Sequence, residues 1–140
     1  MQYRTANRND DVFTLQHTIF SGPYAYDKDF IDKLINENRI IIALNGKGMC
    51  GFIMFMVTKH ELSGKKVNTI ISIGVKSEVR GRGIGKNLVR LVLNIMKDVY
   101  LHVRTDNLIA ISLYKSLDFK VIATIRNYYL DCDAYYCAHE

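Results

Sequence analysis

The chain has 140 residues, of which 49% are hydrophobic, with one proline and a formal net charge of +5. This length and composition predict one compact domain, residues 1–140, with its own core, and exclude a low-complexity chain. The longest apolar run is too short to span a bilayer, and Cys50, Cys132 and Cys137 lack metal-ligand spacing, so we expect a cytoplasmic protein with reduced thiols and no metal.

Taken in chain order, the apolar and turn patterns predict the order β-α-α-β-β-β-α-β-α-β-β. Strands are predicted at 3–6, 39–44, 49–58, 67–76, 99–105, 119–125 and 134–139, with a loop before the last one. Helices are predicted from an Asn9-Asp10-Asp11 cap to about residue 20, and at 27–37, 83–97 and 107–117. This order predicts an α/β (α+β) fold with a twisted, mostly antiparallel sheet of six to seven strands and about four helices. The helix at 83–97 makes strands 67–76 and 99–105 parallel neighbours.

The run Arg80-Gly81-Arg82-Gly83-Ile84-Gly85 separates a β-like stretch from an amphipathic helix. A glycine-rich turn that opens a helix presents backbone N–H groups at a positive dipole end, which suits phosphate or pyrophosphate. No GK[ST] follows, so the run is not a P-loop. A plain helix-entry turn is the alternative interpretation. Arg80, Arg82 and Lys86 add positive charge that favours the anion site.

The other basic residues are scattered, and no basic stripe interleaved with aromatic residues is present. The net charge therefore indicates a small anionic ligand rather than nucleic acid, and no membrane partner is expected.

Two motifs and the element order resemble the GCN5-related N-acetyltransferase (GNAT) family. Arg80, Gly83 and Gly85 match its acyl-CoA signature, which is Arg or Gln, two residues, Gly, one residue, then Gly or Ala. A second signature is matched at Asn107, Ala110 and Tyr114, followed by Phe119. The family usually has glycine where Asp118 stands, and aspartate tolerates the same left-handed turn. The resemblance implies a GNAT fold.

The resemblance also implies acetyl-CoA as cofactor, with its pyrophosphate on the amides of 80–86 and its pantetheine arm along the strand edge at 73–75. A backbone N–H of that edge is the expected oxyanion donor. The implied coenzyme-binding residues are Ile73, Gly74, Val75, Arg80, Gly81, Arg82, Gly83, Ile84, Gly85, Lys86, Asn107, Ala110 and Tyr114.

Within that family, Val99-Tyr100-Leu101-His102-Val103 and Arg126-Asn127-Tyr128-Tyr129 resemble the N-terminal acetyltransferases. The likeness is greatest to the catalytic subunit of the NatE complex, with ribosomal-protein alanine acetyltransferases as more distant relatives. It implies direct transfer of acetyl, in a ternary complex, to the α-amine of a protein or peptide N-terminus. An auxiliary or ribosomal partner is compatible with this resemblance.

His102 is the expected general base, acting directly or through one water, because its ordinary pKa of about 6.5 suits an α-amine of pKa about 7.7–8.0. Strand alternation places it on one face with Tyr100 and Arg104. The alternative is a structural histidine whose hydrogen bonds are satisfied within the sheet.

The resemblance implies Tyr114 as the acid for the departing sulfur. Thr69 stands where NatE carries a catalytic tyrosine, and it can hold a water but cannot ionise usefully.

The resemblance further implies a peptide-binding set: Phe20, Tyr24, Ile71, Tyr128 and Tyr129. The NatE-like enzymes have Phe-Pro-Val in the loop that covers the peptide N-terminus. This chain reads Phe20-Ser21-Gly22-Pro23 there. The remaining histidines, His17, His60 and His139, are expected at the surface.

Two other functions stay open. One is acetylation of a small amine such as a polyamine, amino acid or antibiotic. A polycation would need an acidic pocket, of which the tyrosine-lined loops show little sign, although Asp131 and Asp133 are nearby. The other is a non-catalytic acyl-CoA-binding module.

Overall fold

The computed structural model describes residues 1–20 and 25–140. Tyr24, expected in the peptide-binding set, lies outside the described residues. The strands are β1 Gln2–Thr5, β2 Ile40–Asn45, β3 Gly48–Lys59, β4 Lys66–Val75, β5 Val99–Arg104, β6 Lys120–Tyr129 and β7 Cys132–His139. The helices are α1 Val12–Ile19, α2 Lys28–Asn36, α3 Ile84–Ile95 and α4 Leu108–Ser116, with a short 3-10 turn at Ser77–Val79. The predicted element order is confirmed.

The strands form one mixed seven-stranded sheet in the order β1-β2-β3-β4-β5-β7-β6. The pairs β1–β2, β2–β3, β5–β7 and β6–β7 are antiparallel. The pair β4–β5 is parallel, with Asn68 opposite Val99 and Ile70 opposite Leu101. The mixed, mostly antiparallel sheet and its parallel pair were both expected from the sequence.

Side-chain caps explain where three helices begin. Asp11 accepts a hydrogen bond from the Thr14 amide, Asp27 from the Phe30 amide and Asn107 from the Ala110 amide. Each satisfies a donor that the first helical turn leaves free. The cap predicted at 9–11 is therefore Asp11, and Asn107 serves α4 as its cap.

The chain packs as two compact units, one of Met1–Met56 and Ser72–Leu91 and one of Val57–Ile71 and Val92–Glu140. The first unit buries apolar side chains of its strands and helices completely or nearly so, among them Val12, Leu34, Ile40, Ile42, Phe52, Met54 and Leu88. The second unit buries Val99, Leu101, Tyr114, Phe119, Tyr136 and Cys137. In β2 and β3 the buried residues are consecutive, as at Phe52, Ile53 and Met54, so both faces of these strands are covered.

Strand β6 differs from its prediction. It runs to Tyr129 rather than ending at 125, and a two-residue turn at 130–131 joins it to β7. Tyr128 and Tyr129 are therefore strand residues and not part of a long loop. The pairing register shifts between Ile125 and Tyr129, and Asn127 has a φ of 55°. This irregularity lets the ladder resume at Tyr129 opposite Cys132.

Asp118 has a φ of 68°, which is the left-handed turn expected at this position. Within residues 1–20 and 25–140, no helix is long and apolar enough to cross a membrane.

Candidate active site

The glycine-rich run leads directly into α3 in the first unit. Gly81 and Gly83 have φ values of 78° and 79°, and a Cβ built on either glycine meets no atom within 4 Å. At the start of α3 the Asn87 amide donates an α-helical hydrogen bond to the Gly83 carbonyl, at 3.0 Å. The amides of Ile84, Gly85 and Lys86 thus belong to the turn whose donors a helix leaves free. Open space over left-handed glycines beside these amides fits a pyrophosphate group.

Arg80 is hydrogen-bonded to the strand that precedes the loop. Its Nε donates a 3.0 Å hydrogen bond to the Val75 carbonyl, at the end of β4. The bond ties the loop to the strand edge, while Arg80 and Arg82 stay exposed. The sequence predicted the positive charge of this loop but not this bond.

Gly74 in β4 is buried under two aromatic rings. A Cβ at this position would lie 2.8 Å from a Phe52 ring carbon and 3.1 Å from a Phe20 ring carbon. The two rings meet edge to face with centroids 6.0 Å apart. Phe20 is therefore held against the strand edge predicted to bind the pantetheine arm.

His102 lies in a cluster of aromatic rings in the second unit. Its ring stacks on Tyr128 with centroids 4.1 Å apart and planes 7° apart. It also contacts Tyr136, at 4.8 Å, which lies opposite it in the β5–β7 pairing. Tyr100 packs on the same Tyr136 ring at 5.6 Å, so Tyr100 and His102 share a face as expected.

The environment of His102 favours its neutral form. The side chain is 13% exposed, and burial lowers its pKa, against the opposing effect of the Glu61 carboxylate. The Glu61 Oε1 lies 3.1 Å from Nε2 of His102. A mostly buried, neutral imidazole that is hydrogen-bonded to a carboxylate can act as a base.

Tyr114 is buried in the second unit, 7% exposed, with its ring 5.7 Å from that of Phe119. Burial raises its pKa well above the ordinary range for tyrosine. The phenol therefore keeps its proton at neutral pH.

Thr69 is also buried, and its hydroxyl lies 2.6 Å from that of Thr58.

Arg104, the last residue of β5, bonds to two turns of this unit, the one after β5 and the one between β6 and β7. It bonds both carboxylate oxygens of Asp131 at 2.8 and 3.0 Å, and both of Asp106 at 3.0 and 3.1 Å. Its guanidinium carbon lies 5.4 Å from the centre of the Tyr129 ring. Tyr129 meets Tyr128 edge to face at 5.0 Å. Arg104 thus fixes the β6–β7 turn through Asp131 and contacts Tyr129, which in turn packs on Tyr128.

With this geometry established, comparison with known proteins decides the class of the chain. Residues 9–119 match the family described as Acetyltransferase (GNAT) family. The chain belongs to this family.

An N-alpha-acetyltransferase of Sulfolobus acidocaldarius is 40% identical to this acetyltransferase over 143 residues, covering 92% of this chain and 84% of the relative. Arabidopsis thaliana Naa50 in complex with the bisubstrate analogue CoA-Ac-MVNAL superposes with a TM-score of 0.81 at 28% identity, covering 99% of this chain and 97% of that one. The ribosomal-protein-S18-alanine N-acetyltransferase of Escherichia coli shares the fold, with a TM-score of 0.81 at 21% identity over 98% and 91% of the two chains. The expected family, enzyme class and acetyl-CoA cofactor are thereby confirmed.

The structure of this GNAT acetyltransferase also corrects the expectation for His60. This histidine is half-buried, and its ring lies edge-on to Tyr100 at 4.8 Å and to Tyr136 at 5.2 Å. His17 is exposed as expected, whereas His139 is half-buried, with its ring 5.4 Å from that of Phe119. Sequence reasoning also missed Glu61 and Tyr136, the partners of His102. Strand alternation on β7 could have indicated Tyr136, but no local pattern marks Glu61.

Proposed function

We propose that this acetyltransferase transfers acetyl from acetyl-CoA to the α-amine of a protein or peptide N-terminus, by direct attack in a ternary complex. His102 is the general base, directly or through one water, and Tyr114 is the general acid. The observation that carries the proposal is the 40% identity, across 92% of the chain, to a protein named N-alpha-acetyltransferase. The Naa50 complex with CoA-Ac-MVNAL supports it, because that analogue combines a coenzyme and a peptide.

Acetyl-CoA, when bound, supplies an acetyl group activated as a thioester. The residues of the glycine-rich loop and of the first turn of α3 fit the pyrophosphate of acetyl-CoA. The amides of 84–86 would donate hydrogen bonds to its oxygens, and Gly81 and Gly83 leave space above the turn. Arg82 and Lys86 neutralise charge. The amides at 73–75 are the proposed oxyanion donors, and Asn107 and Ala110 are proposed as further coenzyme contacts.

His102 suits an α-amine because, near pH 7 to 8, the imidazole is unprotonated and a sizeable fraction of the α-amine is neutral. An α-amine has a pKa of about 7.7–8.0, whereas that of lysine is about 10.4. A histidine whose pKa is lowered by burial is unprotonated under these conditions and can take the proton that the amine loses. It is too weak a base to serve a lysine ammonium equally well.

Tyr114 enters this scheme as a proton donor. Burial raises the pKa of the phenol, so it carries its proton when the thiolate leaves and is a hydrogen-bond donor to sulfur. In the proposed general-acid step that proton passes to the sulfur. The hydroxyl of Thr69 is hydrogen-bonded to that of Thr58, and its proposed role is limited to holding a water molecule.

Tyr128 and Tyr129 are proposed to bind the peptide backbone, together with Phe20, Ile71 and Tyr24. Tyr128 is 46% exposed and stacks on His102, so a chain lying on this tyrosine brings its terminus to the base. The carboxylates that a polyamine would require are already bonded, Asp131 to Arg104 and Asp133 to the Asn127 amide. This pairing favours a peptide over a polycation. Two further expectations stay predictions. One is that residues 1–140 form one domain, and the other is that an auxiliary or ribosomal partner exists.

A peptide library read by mass spectrometry tests this function. Peptides with free N-termini, including Met-, Ala- and Ser-initiated sequences, are incubated with acetyl-CoA and the enzyme beside N-terminally blocked copies. We expect acetylation of a subset of the free peptides and none of the blocked ones. Equal modification of blocked copies, or none of any peptide, would overturn the proposal.

A further inference from the structure

The loop between β3 and β4 carries a carboxylate that contacts His102. Glu61 lies in this loop, and its Oε1 is 3.1 Å from His102 Nε2. Forty-one positions separate the two residues in the sequence. The contact therefore exists because the loop folds over the face of β5 and β7.

Several bonds fix the loop in this place. Nδ1 of His60 accepts the amides of Leu62 and Ser63 at 3.1 and 3.2 Å. The His60 amide donates to the Lys65 carbonyl, at 2.7 Å, and the Gly64 amide to the His60 carbonyl, at 2.9 Å. The Glu61 amide donates to the Tyr136 hydroxyl at 3.4 Å. The backbone of Glu61 is thus fixed to the same tyrosine on which His102 packs.

The chemistry of this contact determines where the imidazole carries its proton. An ionised carboxylate can only accept, so His102 must donate from Nε2 and hold its lone pair at Nδ1. We propose that Glu61 is a positioning residue that keeps the proton of neutral His102 on Nε2 and makes Nδ1 the atom that receives the proton from the amine. This inference rests on the proposed function of His102. In the step, an amine N–H bond breaks and an Nδ1–H bond forms, while the Nε2–H bond stays intact and donates its hydrogen bond to the Glu61 carboxylate.

The charge of Glu61 also acts on the titration of His102. The groups that face or flank this ring are Glu61 from the loop, Tyr136 from β7, Tyr128 from β6, and Tyr100 and Arg104 along β5. Burial lowers the pKa of His102, and the Glu61 carboxylate opposes that effect. Removing the charge should therefore lower the pKa further.

The test uses ¹⁵N NMR of the full chain to read the tautomer and titration of His102. Glu61→Gln keeps an acceptor oxygen but loses the charge, and Glu61→Ala loses both. Glu37→Gln is the matched control, because Glu37 is an exposed carboxylate at the end of α2. In the wild type we expect an Nε2–H signal for His102. We expect a lower His102 midpoint in both Glu61 variants, a mixed tautomer only in Glu61→Ala, and no change in Glu37→Gln.

The pH profile of kcat/KM with a substrate peptide supplies the second readout. The acidic limb should move to lower pH in Glu61→Gln, and the plateau should fall roughly tenfold or more in Glu61→Ala, since general-base catalysis is worth about 100- to 10,000-fold. An Nδ1–H signal in the wild type, or a tautomer and midpoint unchanged in Glu61→Ala, overturns the inference. If Glu61→Ala does not fold, the wild type and Glu61→Gln still decide it. If the enzyme acetylates no peptide, the proposed function fails, while the NMR signals still test the contact.

Discussion

At the scale of single residues, His102 carries most of the chemical argument. Its ring is mostly buried between Tyr128 and Tyr136, and burial lowers its pKa. Desolvation costs the imidazolium more than the neutral ring, so the base is ready at neutral pH. A histidine merely packed in a sheet and a catalytic histidine share this burial, and only kinetics separates the two.

Replacement of His102 provides that separation. We expect His102→Ala to lower kcat/KM for peptide acetylation about 100-fold or more, because it removes the general base. His17→Ala is the control, because His17 is an exposed histidine on α1. Steady-state assays with one peptide check both variants. Equal rates for His102→Ala and the wild type would leave the histidine a purely structural role.

Tyr114 can be examined by removing a single atom. Tyr114→Phe keeps the ring against Phe119 but takes away the phenolic proton. We expect kcat to fall about 100-fold, which is the lower end of the range for general-acid catalysis. The KM for acetyl-CoA should change little. Steady-state kinetics measures the activity of the variant, and a thermal melt checks that it is folded. A kcat that stays within twofold of the wild type would remove Tyr114 from the mechanism.

At the scale of elements, the turn before α3 depends on glycine for two separate reasons. Gly83 has a φ of 79°, and the space above it is open. Alanine there strains the backbone by about 1–2 kcal/mol and also places a methyl group where the coenzyme is proposed to bind.

A comparison of two glycines separates strain from ligand contact. Gly64 has a similar φ of 72° and equally open space, but lies in the loop between β3 and β4. We expect Gly83→Ala and Gly64→Ala to lose similar stability in urea unfolding. Only Gly83→Ala should weaken acetyl-CoA binding, by tenfold or more, in calorimetry. Equal affinity of the two variants for the coenzyme would contradict this site.

The β6–β7 hairpin shows where sequence patterns reach their limit. The apolar alternation of β6 weakens after Ile125, and Arg126-Asn127 has the composition of a turn. Asn127 does adopt a left-handed φ, yet the strand continues past it through a bulge. The pairing with β7, and Arg104 holding Asp131, decide the outcome, and neither is local in the sequence.

At the scale of the whole molecule, stability should fall on mild acidification. The folded pKa of His102 lies below its ordinary value of about 6.5, so the unfolded chain binds more protons in the interval between the two values. The free energy of unfolding therefore decreases as the pH falls below about 6.5. The pair of Asp10 with Arg4 lowers the pKa of Asp10, and its contribution is lost only in stronger acid, below about pH 4.

A variant without this titration isolates the effect. We expect His102→Asn to show a smaller loss of stability between pH 7 and pH 5 than the wild type, in urea unfolding followed by circular dichroism. Identical pH dependence of the two proteins would mean that His102 titrates alike in the folded and unfolded chains.

The fold was largely predictable, but the surroundings of the base were not. Local patterns suffice for the element order and the Asp11 cap, because each depends on neighbouring residues. The left-handed turn at Asp118 was expected instead from the glycine that the family usually has there. The contact of Glu61 with His102 joins residues far apart in the sequence, and the bond of Arg80 to Val75 depends on the course of the loop. Such contacts follow from tertiary packing, which propensity and periodicity do not contain.

The most direct measurement uses one peptide that has both a free α-amine and an internal lysine. After incubation with acetyl-CoA and enzyme, fragmentation mass spectrometry locates the acetyl group. The account predicts acetylation of the α-nitrogen, with the lysine unmodified at early times. Acetylation of the lysine at an equal or greater rate would contradict it.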